Sequence, residues 1–191
     1  MTRVLLVNPY DRSALNKILG IRAPPLGLMY IAAFLERAGV PVDILDANLS
    51  NKTSEEIALE AKRRKPEIVG LSAVTPTVKA AMKIMKSIRM VMPNVVGIIG
   101  GAHPTFLPAE TLADCPELDI VVMGEGEETV LDLVKDFDGF SWQNEEERKI
   151  GNSGMRKLAE RISKVRGIAF RDPENPSSTR ITPPPINPGS R

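Results

Sequence analysis

Residues 68–77 read Ile68-Val69-Gly70-Leu71-Ser72-Ala73-Val74-Thr75-Pro76-Thr77, and this stretch decides the fold class of the 191-residue chain. It begins with a short apolar run that is typical of a buried strand. A loop rich in hydroxyl groups follows, and apolar residues at helical spacing begin at Val78. A buried strand that leads through a loop into a helix is the repeating unit of a parallel α/β sheet.

The same unit recurs on both sides of this stretch. Further β-branched-rich runs predict strands at Val4 to Val7, Val42 to Leu45, Val95 to Ile99 and Ile120 to Met123. Helices are predicted between them: one that ends at Gly39, one that opens with the capping-box sequence Thr53-Ser54-Glu55-Glu56, one from Val78, and two over Pro108 to Ala113 and Glu127 to Asp136. The alternation predicts an α/β fold, a flavodoxin-like (Rossmann-like) five-stranded parallel sheet in the order 2-1-3-4-5.

We expect this sheet to occupy residues 1–138. Residues 139–182 form a predicted extension with a polar excursion, a helix and a small C-terminal hairpin: Ser141 to Gly154, Met155 to Val165, and the strands Gly167 to Arg171 and Thr179 to Thr182. Residues 183–191 are rich in proline, which predicts an extended linker to a further domain that this sequence lacks.

Composition excludes several classes of function. A single cysteine, Cys115, and a single histidine, His103, exclude an internal disulfide, a structural zinc site and the ligands of an iron–sulfur cluster. The formal net charge of +1 argues against a nucleic-acid partner. Apolar runs fall short of the roughly 18 residues that a membrane span requires, and the start is too short for a signal peptide. We therefore expect a cytoplasmic protein without a membrane partner, whose metal or redox chemistry is brought by another molecule.

Loops at the carboxyl ends of parallel strands form the binding surface of such sheets, at the switch point between strands 1 and 3. After strand 1 come Asn8 and Pro9. After strand 3, the hydroxyls of Ser72, Thr75 and Thr77 can each donate and accept a hydrogen bond. Helix capping is an equal alternative for Thr75, whereas Ser72 lies too early to cap, so Ser72 is the stronger candidate.

Glycines follow the next two strands. Gly100 and Gly101 allow the backbone to approach a flat ligand, and His103 comes directly after them. A lone histidine is more often a structural hydrogen-bonding group than a metal ligand, so no metal ligand is predicted. Gly124-Glu125-Gly126 resembles the start of a dinucleotide fingerprint, but it follows the last strand and its carboxylates would repel a pyrophosphate.

Taken together and in order, these loops resemble the N-terminal cobalamin (vitamin B12)-binding domain of cobalamin-dependent radical SAM enzymes. The likeness covers residues 3–138 and resumes at 167–171 and 181–185. It is carried by Asn8-Pro9, Pro24-Pro25-Leu26-Gly27-Leu28, Gly70-Leu71-Ser72, Thr75-Pro76-Thr77, Gly100-Gly101-Ala102-His103-Pro104-Thr105 and Gly124-Glu125-Gly126-Glu127.

The resemblance implies a module that covers one face of the corrin and receives its nucleotide tail among the strand ends. At the matching positions, Ser72 would meet the dimethylbenzimidazole tail, Gly100 and Gly101 would line its slot, and the turn from Gly124 to Glu127 would flank it. The residues after Asn8 and around Thr75 would approach the corrin edge, and His103 its periphery.

Other cobalamin domains carry a D-x-H-x-x-G stretch after strand 1, whose histidine ligates cobalt. This chain has Asn8-Pro9-Tyr10-Asp11 there instead. The resemblance therefore implies a tail-displaced cobalamin with no protein histidine on cobalt and a weak or water-filled lower axial position.

The resemblance assigns the chemistry to a C-terminal radical SAM domain of the same polypeptide. That domain would use S-adenosylmethionine and a [4Fe-4S] cluster on a C-x-x-x-C-x-x-C motif, for methyl transfer or a radical rearrangement. We predict no catalytic residue in the present chain. Two alternatives stay open from the residues alone: a flavodoxin-like flavin or nucleotide-binding module, and an interaction domain with no cofactor.

Overall fold

A single sheet organises the computed structural model, which describes residues 2–10, 24–50, 52–138, 153–175 and 178–184. The strands are β1 (Val4–Asn8), β2 (Val42–Asp46), β3 (Ile68–Ser72), β4 (Val96–Gly100), β5 (Ile120–Val122), β6 (Ile168–Arg171) and β7 (Thr179–Ile181). They form a seven-stranded sheet in the order β2-β1-β3-β4-β5-β6-β7. β1 to β5 pair in parallel, whereas β6 pairs antiparallel with both β5 and β7.

The prediction of a parallel-rich α/β sheet is confirmed, and its first five strands stand in the predicted order. The predicted strand count is wrong, because the hairpin is not a separate extension. β6 continues the sheet, with Val121 opposite Ala169. Without β6, the outer edge of β5 would expose unpaired backbone groups. Ile168, Ala169 and Phe170 are all buried, as expected of a strand covered on both faces.

Helices cover both faces of the sheet. They are α1 (Leu26–Arg37), α2 (Ala47–Ser50), α3 (Ser54–Arg64), α4 (Val78–Val91), α5 (Ala102–Phe106), α6 (Pro108–Asp114), α7 (Glu127–Phe137) and α8 (Ser153–Ile162). α1, α7 and α8 pack on one face, and α3, α4 and α6 on the other. The Thr53 capping box of α3 forms as predicted, whereas the short α2 and α5 were not foreseen. Within the described ranges, no helix is long and apolar enough to cross a membrane.

Parts of three predicted segments lie outside the described residues. These are residues 11–23 of the loop after β1, residues 139–152 of the polar excursion and residues 185–191 of the linker.

Arg171 fastens the hairpin to the parallel part of the sheet. Its guanidinium donates to the backbone oxygens of Leu118 at 2.6 Å, Leu112 at 2.6 Å and Cys115 at 2.9 Å. Carbonyls near a helix C-terminus lack intrahelical partners, and a cation is favourable there. One side chain thus ties β6 to the end of α6 and to the chain that enters β5.

The other end of the hairpin is tied to the residues around the turn after β5. The Met123 N–H donates to the Gly167 oxygen at 2.8 Å, and Thr129 Oγ1 donates to the Arg166 oxygen at 3.1 Å. Gly167 N–H and Arg166 Nε then donate to the carbonyl oxygens of Pro183, at 2.7 Å, and Pro184, at 2.9 Å. These hydrogen bonds form a ladder from β5 and α7 to the prolines.

Replacement of Arg171 by methionine tests the first of these attachments. Arg171→Met should lower the free energy of unfolding by about 2 kcal/mol or more, because partly buried carbonyls lose a charged donor. Urea denaturation measures the change. The control is Arg180→Met on the same hairpin, where only an exposed ion pair with Asp172 is lost and a much smaller effect is expected. Equal losses in both variants would contradict the assignment.

Candidate functional site

A cleft opens at the carboxyl ends of the parallel strands. Strands β1, β3, β4 and β5 supply its floor, and α1 and α7 supply its walls. It lies at the end of the sheet that the strand order predicted.

The floor consists of two rows of residues that the parallel register aligns. Leu6 lies opposite Gly70, and Gly70 lies opposite Ile98, which makes the inner row. One step nearer the carboxyl ends, Ser72 lies opposite Gly100 in the outer row. Because side chains alternate between the faces of a strand, both rows face the cleft.

Gly70 allows its neighbours in the inner row to pack closely over it. A Cβ atom at this position would lie 3.0 Å from Leu6 Cδ2 and 3.4 Å from Ile98 Cγ1. Above this row, Leu28 and Ile31 of α1 and Val130 of α7 line the cleft. The inner part of the cleft is therefore an apolar slot, to whose floor Gly70 contributes no side chain.

Ser72 places a hydroxyl group in the outer row. The side chain is half-buried and lines the cleft. Within the part of the chain that the structure describes, it makes no hydrogen bond. A ligand in the cleft would therefore find a hydroxyl able to donate or accept.

Gly101 joins the loops that follow β3 and β4. Its φ is 105°, and a Cβ there would lie 2.5 Å from the Ala73 oxygen. The Ala73 N–H also donates to the Gly100 oxygen at 2.8 Å. Gly100 and Gly101 both line the cleft. The close approach at Gly101, however, is to the backbone of Ala73 and not to the space for a ligand.

The turn after β5 forms the acidic side of the cleft mouth. Gly124 has a φ of 70°, and its N–H donates to Thr105 Oγ1 at 3.0 Å. Gly126 packs so closely on Ile31 that a Cβ would lie 3.0 Å from Ile31 Cδ1. Glu125 and Glu127 line the mouth, where their carboxylates favour hydrogen-bond donors and repel anions.

Asn8 and Pro9 are not brought into the cleft, although both lie at the carboxyl end of β1. Asn8 Nδ2 donates to Asp46 Oδ1 at 3.0 Å. The Pro9 oxygen accepts from Asn48 Nδ2 at 3.2 Å. These contacts join β1 to the end of β2 and to α2.

Thr75, Thr77 and His103 also lie outside the cleft lining. Thr77 Oγ1 accepts from Val74 N–H at 3.1 Å and donates to the Val74 oxygen at 3.2 Å, so it closes the turn before α4. Thr75 is not the cap of α4, because the N-cap position of this helix is Thr77. The Thr75 Oγ1 atom instead lies 3.2 Å from His103 Nδ1. This Thr75–His103 contact joins the loops after β3 and β4 at the surface.

The sequence interpretation missed the slot itself. The sequence predicted Leu6 and Ile98 only as strand residues, and Gly70 and Leu28 entered only as members of motifs that carry the family resemblance. A usable signal was present, because a glycine inside a β-branched strand often marks a close approach by a ligand or another backbone.

The residues that the structure describes hold no metal site, and the one thiol is buried. Among the described residues, no group of three or more His, Cys, Asp and Glu side chains could hold a metal ion. Burial raises the pKa of the Cys115 thiol to about 12, so this residue is a neutral, buried thiol at pH 7.

The fold and the glycine-floored cleft define a Rossmann-like cofactor-binding domain. A sequence profile described as B12 binding domain matches residues 14–134, and the chain belongs to this family. Its cofactor is cobalamin, as the family resemblance implied.

Similar proteins are longer than this chain. It is 34% identical over 172 residues to "Uncharacterized methyltransferase PH0819" of Pyrococcus horikoshii, covering 85% of this chain and 37% of that protein. It is 30% identical over 182 residues to the anaerobic magnesium-protoporphyrin IX monomethyl ester cyclase of Cereibacter sphaeroides, covering 95% and 27%. The chain thus spans about a third of the length of these curated relatives.

Solved structures share the fold. The radical S-adenosylmethionine methyltransferase TsrM from Kitasatospora setae, with cobalamin and a [4Fe-4S] cluster bound, has a TM-score of 0.70 at 20% identity. The match covers 97% of this chain and 30% of TsrM. The cobalamin-dependent S-adenosylmethionine radical enzyme OxsB has a TM-score of 0.68 at 20% identity, with 98% and 23% covered.

Alanine substitutions at two glycines separate close approach from backbone strain. Gly101→Ala should lower the free energy of unfolding by about 2 kcal/mol or more, since it combines a glycine-only conformation with a backbone collision. Gly124→Ala has a positive φ but open space, so a loss of about 1–2 kcal/mol is expected. Urea unfolding of both variants tests the order, and a larger loss at Gly124 would refute it.

Proposed function

We propose that this chain is the cobalamin-binding domain of a cobalamin-dependent radical SAM enzyme, and that its cleft receives the nucleotide tail of cobalamin. The observation that carries the placement is the slot over Gly70, which lies within the residues matched by the family profile. An apolar slot beside one available hydroxyl fits a flat aromatic base that carries a ring nitrogen.

Different residues of the cleft would contact different parts of the cofactor. Ser72 donates a hydrogen bond to the ring nitrogen of the dimethylbenzimidazole tail. Gly70 and Gly100 leave room for the ring where a side chain would fill the floor or press on β5. Glu125 and Glu127 accept hydrogen bonds from hydroxyl or amide groups at the periphery of the cofactor.

The loops beside the cleft are proposed to face the corrin. Thr75 and His103 hold each other at this surface, and Asn8, Pro9 and Thr77 shape neighbouring loops without entering the cleft. When bound, cobalamin supplies a cobalt centre that carries a methyl group or takes part in a radical rearrangement. His103 is placed at the corrin periphery and leaves the cobalt without a protein histidine ligand.

The remaining parts of the enzyme are proposed to lie on the same polypeptide. TsrM combines cobalamin with a [4Fe-4S] cluster, and the present chain matches only 30% of it. We place the S-adenosylmethionine and cluster sites in a C-terminal radical SAM domain that follows the proline-rich linker at residues 183–191. The family match favours this function over a flavin or nucleotide module and over an interaction domain without a cofactor.

Titration with hydroxocobalamin tests the proposal directly. The purified chain should retain cobalamin through gel filtration with a perturbed visible spectrum. Ser72→Ala should raise the Kd about 5–10-fold, the equivalent of one hydrogen bond of about 1 kcal/mol. Ser163→Ala, which removes an exposed hydroxyl bonded to the Glu160 oxygen away from the cleft, should leave the Kd unchanged. Loss of cobalamin during gel filtration, or equal Kd values for both variants, would contradict the proposal.

His103→Ala tests the absence of a histidine on cobalt. The visible spectrum of bound cobalamin should stay almost unchanged, because His103 lies outside the cleft and contacts Thr75. Spectra recorded with saturating protein between pH 6 and pH 8 provide the measurement. A clear shift of the axial-ligand bands in the variant would overturn the assignment.

A further inference from the structure

The inner part of the cleft carries no polar side chain among its described lining residues. Leu6, Ile98, Leu28 and Val130 are each at most 5% exposed, and Gly70 contributes only backbone. The ladders of β1, β3 and β4 pair the backbone groups of this row with one another. Polar side chains begin at the outer row, with Ser72, and at the mouth, with the two glutamates.

We propose that this slot selects corrinoids by the chemistry of their tail base, accepting a benzimidazole and rejecting an adenine. The inference rests on the proposed function, because it requires the tail to enter the cleft. It assigns the selection to Leu6, Gly70 and Ile98, which form the inner row.

The selection follows from which end of the base reaches the inner row. The ribose is attached to the five-membered ring and stays towards the mouth, so the six-membered ring enters first. In dimethylbenzimidazole this ring carries only carbon and hydrogen. In adenine it carries ring nitrogens and an amino group, which would lose water and find no partner among Leu6, Gly70 and Ile98.

Ser72 does not make this distinction. Both bases carry a nitrogen in the five-membered ring, and the Ser72 hydroxyl in the outer row can donate to either. Size does not make it either, since adenine is no larger than dimethylbenzimidazole. The discrimination therefore comes from the apolar character of the inner row.

Four corrinoids titrated into the 191-residue chain test the inference: hydroxocobalamin, its analogue with adenine as the base, its analogue with benzimidazole lacking both methyl groups, and the tail-free cobinamide. The unmethylated benzimidazole analogue should bind up to about 15-fold more weakly than cobalamin, because two buried methyl groups are lost. The adenine analogue, which lacks the same methyl groups, should bind at least about 10-fold more weakly than the unmethylated benzimidazole analogue. Visible-spectrum titration gives each Kd.

A pair of variants on one strand locates the selection. Ile98→Thr puts a hydroxyl into the inner row and should reduce the preference for cobalamin over the adenine analogue several-fold. Ile99→Thr is the matched control, because Ile99 is equally buried but packs on the opposite face of the sheet. An unchanged preference in Ile98→Thr, or an equal change in both variants, would assign the selection elsewhere and overturn the inference.

The outcomes separate this inference from the proposed function. If the wild-type chain fails to bind hydroxocobalamin, the proposed function itself is wrong. If it binds hydroxocobalamin, and the adenine and unmethylated benzimidazole analogues bind equally well, the function stands and the selection is refuted. If cobinamide binds as tightly as cobalamin, the tail does not occupy the cleft and the selection falls with that placement. The wild-type titrations decide these points even if a threonine variant does not fold.

Discussion

Parallel pairing of β1, β3 and β4 places Leu6, Gly70 and Ile98 side by side, and the geometry of the site depends on this row. A glycine inside a strand costs roughly 0.5–1 kcal/mol relative to alanine, because it has more freedom to lose and nothing to pack. Here the absence of a side chain lets Leu6 and Ile98 pack closely at the floor of the cleft between α1 and α7. The same register then sets Ser72 beside Gly100 one step further out.

Sequence periodicity predicted the part of the site that topology alone determines. Once five strands alternate with helices, the residues after β3, β4 and β5 must meet at one edge, and Ser72, Gly100 and Gly124 do so. The pattern does not show whether a side chain at this edge is already bound to another residue of the chain. Asn8 reaches the same edge, but its amide donates a hydrogen bond to Asp46 at the end of β2. The residues of α1 and α7 that form the walls of the slot could not be predicted from the sequence either. A helix face that lines a ligand cleft has the same spacing of apolar residues as one that packs in the core.

The polarity of the cleft lining increases from the floor to the mouth. The floor is apolar, one hydroxyl stands at the middle level, and the carboxylates of Glu125 and Glu127 stand at the mouth. Glu127 also lies in the first turn of α7, where a carboxylate is favourable for the helix dipole. This arrangement suits a ligand with an apolar end and with hydrogen-bond donors at its rim. It opposes the phosphate-first entry that Rossmann dinucleotide sites use.

A ladder of hydrogen bonds fixes the position of the segment that leaves β7. It runs from Met123 and Thr129 through Arg166 and Gly167 to Pro183 and Pro184. The turn that borders the cleft and the segment that leaves β7 share their hydrogen-bond partners, so neither can be displaced without stretching bonds of the other. Proline adds stiffness to this connection, because its ring fixes φ. The chain that leaves β7 at Pro183 is therefore held in a fixed place beside the turn that borders the cleft.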